Sequence, residues 1–410
     1  MPPDPKIIDL ISDNADGTSF TSLEFFPPRT EEGVKNLHGR MDRMLKNTKP
    51  LFTDVTWGAG GSTAELSLRL ALYAHDNGHV ANMHLTCTNM TKNGDPVAAV
   101  RGALQEAHDG GIRNIVALRG DPAAGETEWE AAEGGFTCAL DLVRFIRKEF
   151  GDSFGVSVAG YPEGHPNAIT ELKPGEEADM SEAEKGRCST FDGVTCVCKD
   201  EDYKKEMDYL KEKVDAGADF IITQMFFDAA VYKTFVADCR KWGIACPVVP
   251  GLMCINAYPG FTKMTKFCKT RVTKDLRDKM ESLKDDVAAI KAFGVQFGTE
   301  LCRDLTEAGA PVLHFYTLNL EKVVYGILDN LNDGTGDLNG KVNESDAAMQ
   351  QAVGSAWARE GDTVKTPFGK GTMKEVRRSG CGVIEFDDWV MAEGQRPKAY
   401  LRQDSYEKAM

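Results

Sequence analysis

The chain has 410 residues and a mass of 44.9 kDa, too long for one ordinary domain and too short for three large ones. It carries 63 acidic against 48 basic residues, a formal charge of −15, which repels phosphate backbones and argues against nucleic-acid binding. Its 42% hydrophobic content excludes global disorder, and no run approaches the roughly 18 apolar residues that span a bilayer. The start MPPDPKIIDLISDN has neither the basic nor the apolar segment of a signal peptide, so a cytoplasmic chain without a membrane partner is expected.

Eight apolar runs rich in Val, Ile, Phe and Thr recur along the chain, most of them leading through turn residues into a helical pattern. TSLEFF from Thr21 leads into TEEGVKNLHGRMDRMLKN. There Val34, Leu37, Met41, Met44 and Leu45 have helical spacing, and Thr30, Glu32 and Gly33 mark a helix start. FTDVTW from Phe52 leads into STAELSLRLALYAHDNG, with Leu66, Leu70 and Tyr73 on one face and Gly78 at the end. ANMHLTC from Ala81 leads into DPVAAVRGALQEAHDGG, where Asp95 caps, Pro96 takes the first turn and a double glycine stops the helix. NIVALRG from Asn114 and GVSVAGY from Gly155 follow. The helical stretch YKKEMDYLKEKVDAGA, with Met207, Leu210 and Val214 on its face and Gly217 at its end, precedes FIITQMFF from Phe220. PVVPGLM from Pro247 and VLHFYTL from Val312 complete the set. Strands alternating with helices imply an α/β fold with a parallel sheet, and eight units match a closed (β/α)₈ TIM-type barrel of about 250 residues. A doubly wound open sheet is the rival. It would usually carry a Gly-rich phosphate turn after the first strand, where this chain has Pro27-Pro28.

Two segments fall outside the repeat. Residues from about 168 to 200 are acidic, irregular and long for a loop after strand five. After Leu331, NDGTGDLNGKVNESD reads as a linker, and beyond it short alternating strands separated by Gly and Pro suggest a small SH3-like β domain. The expected organisation is a barrel over 1–332 with an insertion at about 168–200, a linker over 333–355 and a small SH3-like module over 356–410. The eleven cysteines, an odd number mostly scattered singly, read as buried hydrophobes or free thiols. Cys196 and Cys198 lack a second pair at zinc spacing, and no metal is expected.

Active sites of such barrels lie where the strands end at their C-terminal side. The polar residues there are Glu24, Thr56, Trp57, His84, Thr86, Arg119, Asp121, Tyr161, His165, Gln224, His314 and Tyr316, more polarity than packing alone requires. Glu24 stands inside an apolar strand. A carboxyl there is partly desolvated, which disfavours its charged form and suits a general acid, although a buried ion pair is the equal alternative. Asp121, between Gly120 and Pro122, reads on its own as turn chemistry. GAGGST at Gly58 is neither a complete dinucleotide fingerprint nor a Walker motif, yet it can present N–H groups to an anion. On residues alone, His84 and His314 read as satisfied core histidines, and His38, His75, His79 and His108 as surface residues.

Together these segments resemble the methylenetetrahydrofolate reductase family. The resemblance rests on LEFFPPRTEEG at Leu23, DVTWGAGGST at Asp54, HLTCTNM at His84, NIVALRGDP at Asn114, AGYPEGHP at Ala159, LKEKVDAGADFIITQMFFD at Leu210, VVPGLM at Val248 and HFYTLNLEKV at His314. It runs from about residue 20 to 330. It implies FAD bound non-covalently in the barrel mouth. NADH or NADPH would reduce the flavin and leave, and methylenetetrahydrofolate would then accept the hydride in the same site, giving 5-methyltetrahydrofolate for methionine synthesis. A shared site of this kind needs no dinucleotide fingerprint. By resemblance, Glu24 is the general acid, and Asp121 is the aspartate whose charge disfavours an anionic reduced flavin and so strengthens the hydride donor. Gln224 contacts the pterin and nicotinamide, and Tyr258 stacks on bound substrate. Thr56, Trp57, Ala59, His84, Leu118, Arg119, Gly120, Asp121, Tyr161, His165 and Lys213 fall on FAD contact positions, with Lys213 and His165 facing the diphosphate. On residues alone, Lys213 is an ordinary exposed helix lysine.

The chain departs from the family pattern in places. Cys138 stands where Tyr is frequent beside the adenosine part, Glu206 and Tyr209 occupy variable helix positions, and Leu320 stands where Arg is common, leaving Lys322 as a substitute contact for the folate's glutamate tail. The insertion is expected near the flavin side. The residues after 332 are too few for the regulatory domain of animal and fungal forms that binds S-adenosylmethionine, so no feedback inhibition by that route is expected. A homo-oligomer is expected, with the C-terminal module serving assembly or docking. Two other readings stay open. A flavin barrel of the proline-oxidising kind is opposed by LEFFPP and Glu24. A flavin-binding scaffold subunit would be favoured by loss of the acid, but Glu24, Asp121 and Gln224 are all present.

Overall fold

In the computed structural model all eight predicted runs are parallel strands of one barrel. The structure describes residues 1–14, 18–57, 63–87, 94–121, 131–191 and 193–335, and five C-terminal strands between 363 and 408. The chain divides into two compact units, Met1–Gly340 and Lys341–Met410. The first unit begins α1 (Ile7–Ser12), β1 (Phe20–Phe25), α2 (Glu31–Thr48), β2 (Phe52–Val55), α3 (Ala64–Asp76), β3 (Ala81–Thr86), α4 (Pro96–Asp109), β4 (Asn114–Leu118), α5 (Ala139–Phe150) and β5 (Gly155–Gly160). An inserted segment holds β6 (Ile169–Glu171), α6 (Glu182–Arg187), β7 (Ser189–Phe191) and β8 (Val194–Cys198). The barrel resumes with α7 (Asp200–Asp215), β9 (Phe220–Thr223), α8 (Ala229–Lys241), β10 (Val248–Val249), β11 (Gly251–Met253), α9 (Tyr258–Phe267), α10 (Lys274–Leu283), α11 (Val287–Glu307), β12 (Val312–Tyr316) and α12 (Lys322–Thr335).

The strand order is β10-β9-β5-β4-β3-β2-β1-β12-β11. The seventh run is split. Its first half, β10, pairs with β9 and its second half, β11, pairs with β12, so one interrupted strand joins the two ends of the sheet. Pro250 sits at the break, where it has no N–H to give to a ladder. Gly251 is required just after it, because a Cβ there would lie 2.3 Å from Thr223 O and 2.5 Å from the Tyr316 ring.

Helix starts are local chemistry. The Thr30 side chain accepts from Gly33 N–H, Asp95 from Ala98 N–H and Thr273 from Leu276 N–H, each satisfying one donor that the first helical turn leaves open. The strands alternate inward and outward. Leu23, Phe25, Met83, Leu85, Val156 and Phe315 belong to the main core beneath the helices. Phe52, Val116, Phe220, Ile222, Val249 and Val312 form a separate cluster inside the barrel with Ile7 and Ile11 of α1. Each such side chain contributes about 1.5–3 kcal/mol when buried. The Ile7 N–H donates to Asn114 Oδ1 at 2.8 Å, at the start of β4, so α1 closes the N-terminal end of the barrel. The opposite end is left for the site.

Four sequence expectations change here. The insertion is not irregular: β6, β8 and β7 form an antiparallel sheet, and α6 starts with a reciprocal Ser181–Glu184 capping box. Short polar segments of this kind show little periodicity, and the pairing partners lie up to 29 residues apart. His75 is buried, with Nδ1 2.7 Å from Asp4 Oδ1, because α3 packs that face toward the N-terminal segment. Residues 333–335, expected in the linker, continue α12. The adjoining residues of the expected linker lie outside the described residues. Finally, Leu66 and Tyr73 are only partly buried, while Leu70 and Ala71 carry the core face of α3.

The second unit contains β13 (Thr363–Thr366), β14 (Gly369–Val376), β15 (Cys381–Phe386), β16 (Lys398–Arg402) and β17 (Glu407–Lys408). They form an antiparallel sheet in the order β16-β15-β14-β13-β17, with a register shift between Met373 and Glu375 and a buried Met373–Ile384 cross-strand pair. Among the described residues no helix is long and apolar enough to cross a membrane.

Candidate active site

Two adjoining cavities open at the C-terminal ends of the barrel strands. The larger, about 410 Å³, is walled by Glu24, Thr56, Trp57, His84, Arg119, Asp121 and Gln224, with Met225, Met253, Met264 and Leu318 as an apolar side. The smaller, about 300 Å³, is walled by Cys138, Glu206, Tyr209 and Lys213. Leu118, Arg119, Ala159, Tyr161 and His165 line both, so the two are lobes of one trough.

Glu24 is inward-facing on β1, in register with Asp54 on β2 and Tyr316 on β12. Its Oε2 lies 3.2 Å from His314 Nε2 and 3.5 Å from His84 Nε2. His84 Nε2 is also 3.1 Å from Asp54 Oδ2, and Ser22 Oγ meets His314 Nδ1 at 2.8 Å. The carboxylate is therefore held from behind by imidazoles while its side chain remains 15% exposed to the cavity. His314 is fully buried and hydrogen-bonded on both ring nitrogens, as a satisfied core histidine should be, but one of its partners is Glu24. Glu24 reads neither as an isolated acid nor as half of a Lys or Arg ion pair.

Asp121 is exposed on the cavity wall just after β4. The Gln224 N–H donates to Gly160 O at 2.7 Å, and its Oε1 accepts from Met225 N–H at 2.9 Å, which fixes the amide at the end of β9. The Thr56 N–H donates to Phe25 O, and its carbonyl accepts from Ser67 Oγ, so two neighbouring elements hold this loop start. Trp57 is buried, and its indole Nε1 has no partner among the described residues. The Tyr316 hydroxyl donates to Thr223 O at 2.6 Å.

The smaller lobe concentrates cations. Lys213 is not the exposed helix lysine that its sequence context suggests. The face of α7 that carries Tyr203, Met207 and Leu210 also buries Lys213, whose Nζ donates to Ala159 O at 2.8 Å and lies 4.9 Å from the centre of the Tyr209 ring. Burial lowers its pKa to about 8 despite the opposing charge of Glu206. His165 is lowered to about 4 by burial and by the charges of Arg119 and Lys213. Its Nδ1 accepts from Asn167 N–H at 3.1 Å, so a neutral ring carries its hydrogen on Nε2. Tyr161 packs edge-on against that ring at 4.7 Å, and burial pushes its hydroxyl up to about 12.

Of the residues expected at the site, Glu24, Asp121, Gln224, Thr56, Trp57, His84, Leu118, Arg119, Gly120, Tyr161, His165 and Lys213 line the trough. Ala59 lies outside the described residues. Tyr258 is not brought into the walls of either lobe. It opens α9, and its hydroxyl donates to Glu281 Oε2 of α10. Among the described residues of the insertion, none lines either lobe. Lys269 and Arg271 tie it instead to the connection between α9 and α10, through Pro166 O, Ile169 O and Cys188 O. Sequence reasoning passed over Asp54. Its signal was a carboxyl amid the apolar run FTDVTW, the same signal that singled out Glu24.

The family model for methylenetetrahydrofolate reductase matches residues 9–332. The chain is 46% identical over 328 residues to methylenetetrahydrofolate reductase (NADH) 1 of Arabidopsis thaliana, covering 80% of this chain and 50% of that one. It is 32% identical over 313 residues to 5,10-methylenetetrahydrofolate reductase of Escherichia coli, covering 76% of this chain and 90% of that one. The chain spans about half the length of the plant relatives it matches. Among solved structures, an uncharacterized protein from Clostridium thermocellum that binds two copies of 5-methyl-5,6,7,8-tetrahydrofolic acid is similar at a TM-score of 0.47 and 12% identity, over 79% of this chain and 98% of that one. The family match spans the whole barrel that carries Glu24, Asp121 and Gln224, and on that ground the chain belongs to the methylenetetrahydrofolate reductase family.

Proposed function

We propose that the barrel reduces 5,10-methylenetetrahydrofolate to 5-methyltetrahydrofolate with a reduced nicotinamide cofactor, using FAD held in the trough. The observation that carries this reading is Glu24, a carboxyl backed by imidazoles and opening into the same lobe as Asp121 and Gln224. The trough fits FAD in its chemistry. Burial lowers Lys213 despite the opposing charge of Glu206, and burial with the charges of Arg119 and Lys213 lowers His165, a cost that an anionic diphosphate would relieve. The buried Trp57 Nε1 without a partner is a donor awaiting an acceptor. When bound, FAD supplies a two-electron carrier that accepts hydride from the nicotinamide and passes it to the folate.

The chain's own residues would do the rest. His165 and Lys213 would hold the diphosphate, and Thr56, Trp57, His84, Leu118, Arg119, Gly120 and Tyr161 the remainder of the cofactor, with Ala59 added on resemblance alone. Gln224 would orient the pterin and nicotinamide in turn. Glu24 would give its proton to the folate nitrogen as the five-membered ring opens, leaving an iminium carbon ready for hydride. Asp121 would place negative charge beside the flavin and favour hydride departure. Tyr258 would have to exchange its bond to Glu281 for a stacking contact with substrate. The name of the Arabidopsis relative supports NADH as donor. The C-terminal sheet we take as an SH3-like assembly module of a cytoplasmic homo-oligomer. Deletion from residue 345 with unchanged oligomeric mass and full activity would refute that role.

The test is an anaerobic visible absorbance titration of the full chain with NADH or NADPH, then methylenetetrahydrofolate. A yellow protein that bleaches with one donor and recovers with the folate is the expected outcome. A flavin-loaded protein that does neither would leave a scaffold role as the better reading.

A further inference from the structure

The wall behind Glu24 holds more ionisable groups than one acid requires. Glu24 from β1, Asp54 from β2, His84 from β3 and His314 from β12 converge there. His84 Nε2 lies 3.1 Å from Asp54 Oδ2 and 3.5 Å from Glu24 Oε2. His314 Nε2 lies 3.2 Å from Glu24 Oε2 and 3.8 Å from Asp54 Oδ2. Asp54 is fully buried, and its Oδ1 has no hydrogen-bond partner among the described residues. A buried carboxylate so poorly solvated is costly unless a cation stands beside it. That cost is met when a proton sits on an imidazole between Asp54 and Glu24. His84 is the better placed of the two. It has the shorter contact to Asp54, and its side chain is 12% exposed at the cavity edge, whereas His314 is sealed and already engaged by Ser22.

We propose that Asp54 holds His84 as an imidazolium that returns a proton to Glu24 after each delivery to substrate. This deepens the reductase reading and rests on Glu24 being its acid. In the delivery, the Glu24 O–H bond breaks and the proton goes to the folate nitrogen, leaving a carboxylate. In the return, the His84 Nε2–H bond breaks, the proton goes to Glu24 Oε2, and the electron pair stays on Nε2. That lone pair then faces Asp54 Oδ2, an arrangement that favours taking a proton from cavity water once product has left. One solvent proton is consumed per turnover, and no electron moves along this path. Asp54 and His84 are positioning residues here, acting through Glu24.

The groups facing His84 define its pH behaviour. β1 presents Glu24, β2 presents Asp54, and β12 presents His314 and Tyr316. Across the cavity stand Arg119 and Asp121 after β4, and Tyr161 and His165 after β5. Burial pushes the imidazole pKa down, but the Asp54 hydrogen bond and the charges of Glu24 and Asp54 outweigh it, for a net rise. The imidazolium therefore persists to higher pH than in an ordinary histidine. The return path is lost as pH rises through that raised value.

Asp54→Asn tests the path in two independent ways. The first is the NMR titration of the imidazole resonances in the full chain without added cofactor, with His84 assigned by the resonance missing in His84→Gln. The expected result is a midpoint above that of an ordinary histidine in the wild type and a lower midpoint in Asp54→Asn. A midpoint the substitution leaves unmoved overturns the proposal. The second compares the two half-reactions by stopped flow across pH. In Asp54→Asn the folate half-reaction should slow on the order of tenfold near pH 8, with its basic limb shifted to lower pH, while flavin reduction by the nicotinamide stays within about twofold. Equal slowing of both, or an unshifted limb, overturns it. If Asp54→Asn does not fold, the wild type still decides: a His84 midpoint above that of an ordinary histidine supports the path, and one at or below it refutes it. A wild type that binds FAD but never bleaches would sink the reductase reading instead, and the NMR arm would still judge the Asp54–His84 pair.

Discussion

Glu24 and Lys213 line different lobes of one trough, and their surroundings differ in kind. Around Glu24, each carboxylate is matched by an imidazole at 3.1–3.2 Å, so negative charge is compensated by groups that can also hold or release a proton. Around Lys213, burial lowers the lysine despite the opposing charge of Glu206, and burial with the positive charges of Arg119 and Lys213 lowers His165. The first arrangement stands ready without a ligand, as proton chemistry requires. The second is unfavourable until an anion arrives, as a binding site for a charged cofactor requires. The difference teaches that lining residues of similar polarity serve different tasks, and that the sign of the uncompensated charge separates them.

The largest expected effect breaks the acid lobe alone. Glu24→Gln keeps the shape and removes the acid, so folate reduction should fall by about 10²–10⁴-fold while flavin reduction by the nicotinamide remains. Half-reaction kinetics would check this, and equal loss in both would refute the division of labour. Next comes the cationic lobe. Lys213→Met should weaken FAD binding by about 10–100-fold, the loss of one charge-assisted hydrogen bond, with little effect on the folate half-reaction once FAD is saturating. Fluorescence titration of the flavin-free protein measures it. The same lysine gives a pH signature. An anion raises its pKa, so binding takes up a proton above about pH 8, and FAD affinity should fall as pH rises through that value.

Smaller effects concern stability. His165 has a folded-state pKa of about 4, below its ordinary value, so the unfolded chain binds more protons between about pH 4 and 6.5. Flavin-free protein should lose stability as pH falls through that window, and His165→Gln should flatten the slope in urea melts. Glu163 runs the other way. It is buried, within the loop that carries Tyr161 and His165, its Oε2 accepts from Arg271 N–H at 2.7 Å, and burial raises its pKa to about 8. Here the folded state holds the extra proton. The stabilising contribution is complete below the ordinary carboxyl pKa and is lost as pH rises toward about 8, and Glu163→Gln should remove that dependence.

Much of the barrel was legible in the sequence because it is written in local periodicity. Val34, Leu37, Met41 and Met44 repeat at helical spacing, Asp95-Pro96 is a start and Gly110-Gly111 a stop, and all of these hold in the structure. The insertion was not legible, since β6, β7 and β8 are three to five residues long and pair across intervening chain. The candidate site was legible as a set of residues at strand ends, helped by the family motifs. Its internal pairing was not. Nothing local distinguishes Lys213 from the half-buried Lys211 and the exposed Lys205 until α7 is docked, and nothing local assigns Asp54 to His84.

The sequence by itself determined where the eight barrel runs lie, where four of the helices start or stop, and which strand ends carry carboxyls, imidazoles and amides. Those facts follow from side-chain periodicity, capping and turn chemistry, which act over a few residues. Only the tertiary structure decided that the seventh strand is split at Pro250 to complete the barrel, that Lys213 is buried beside Ala159, that Tyr258 bonds to Glu281, and that Glu24, Asp54, His84 and His314 meet at 3.1–3.8 Å. These are contacts between residues as many as 290 positions apart. Their burial and charge compensation exist only once the strands stand side by side.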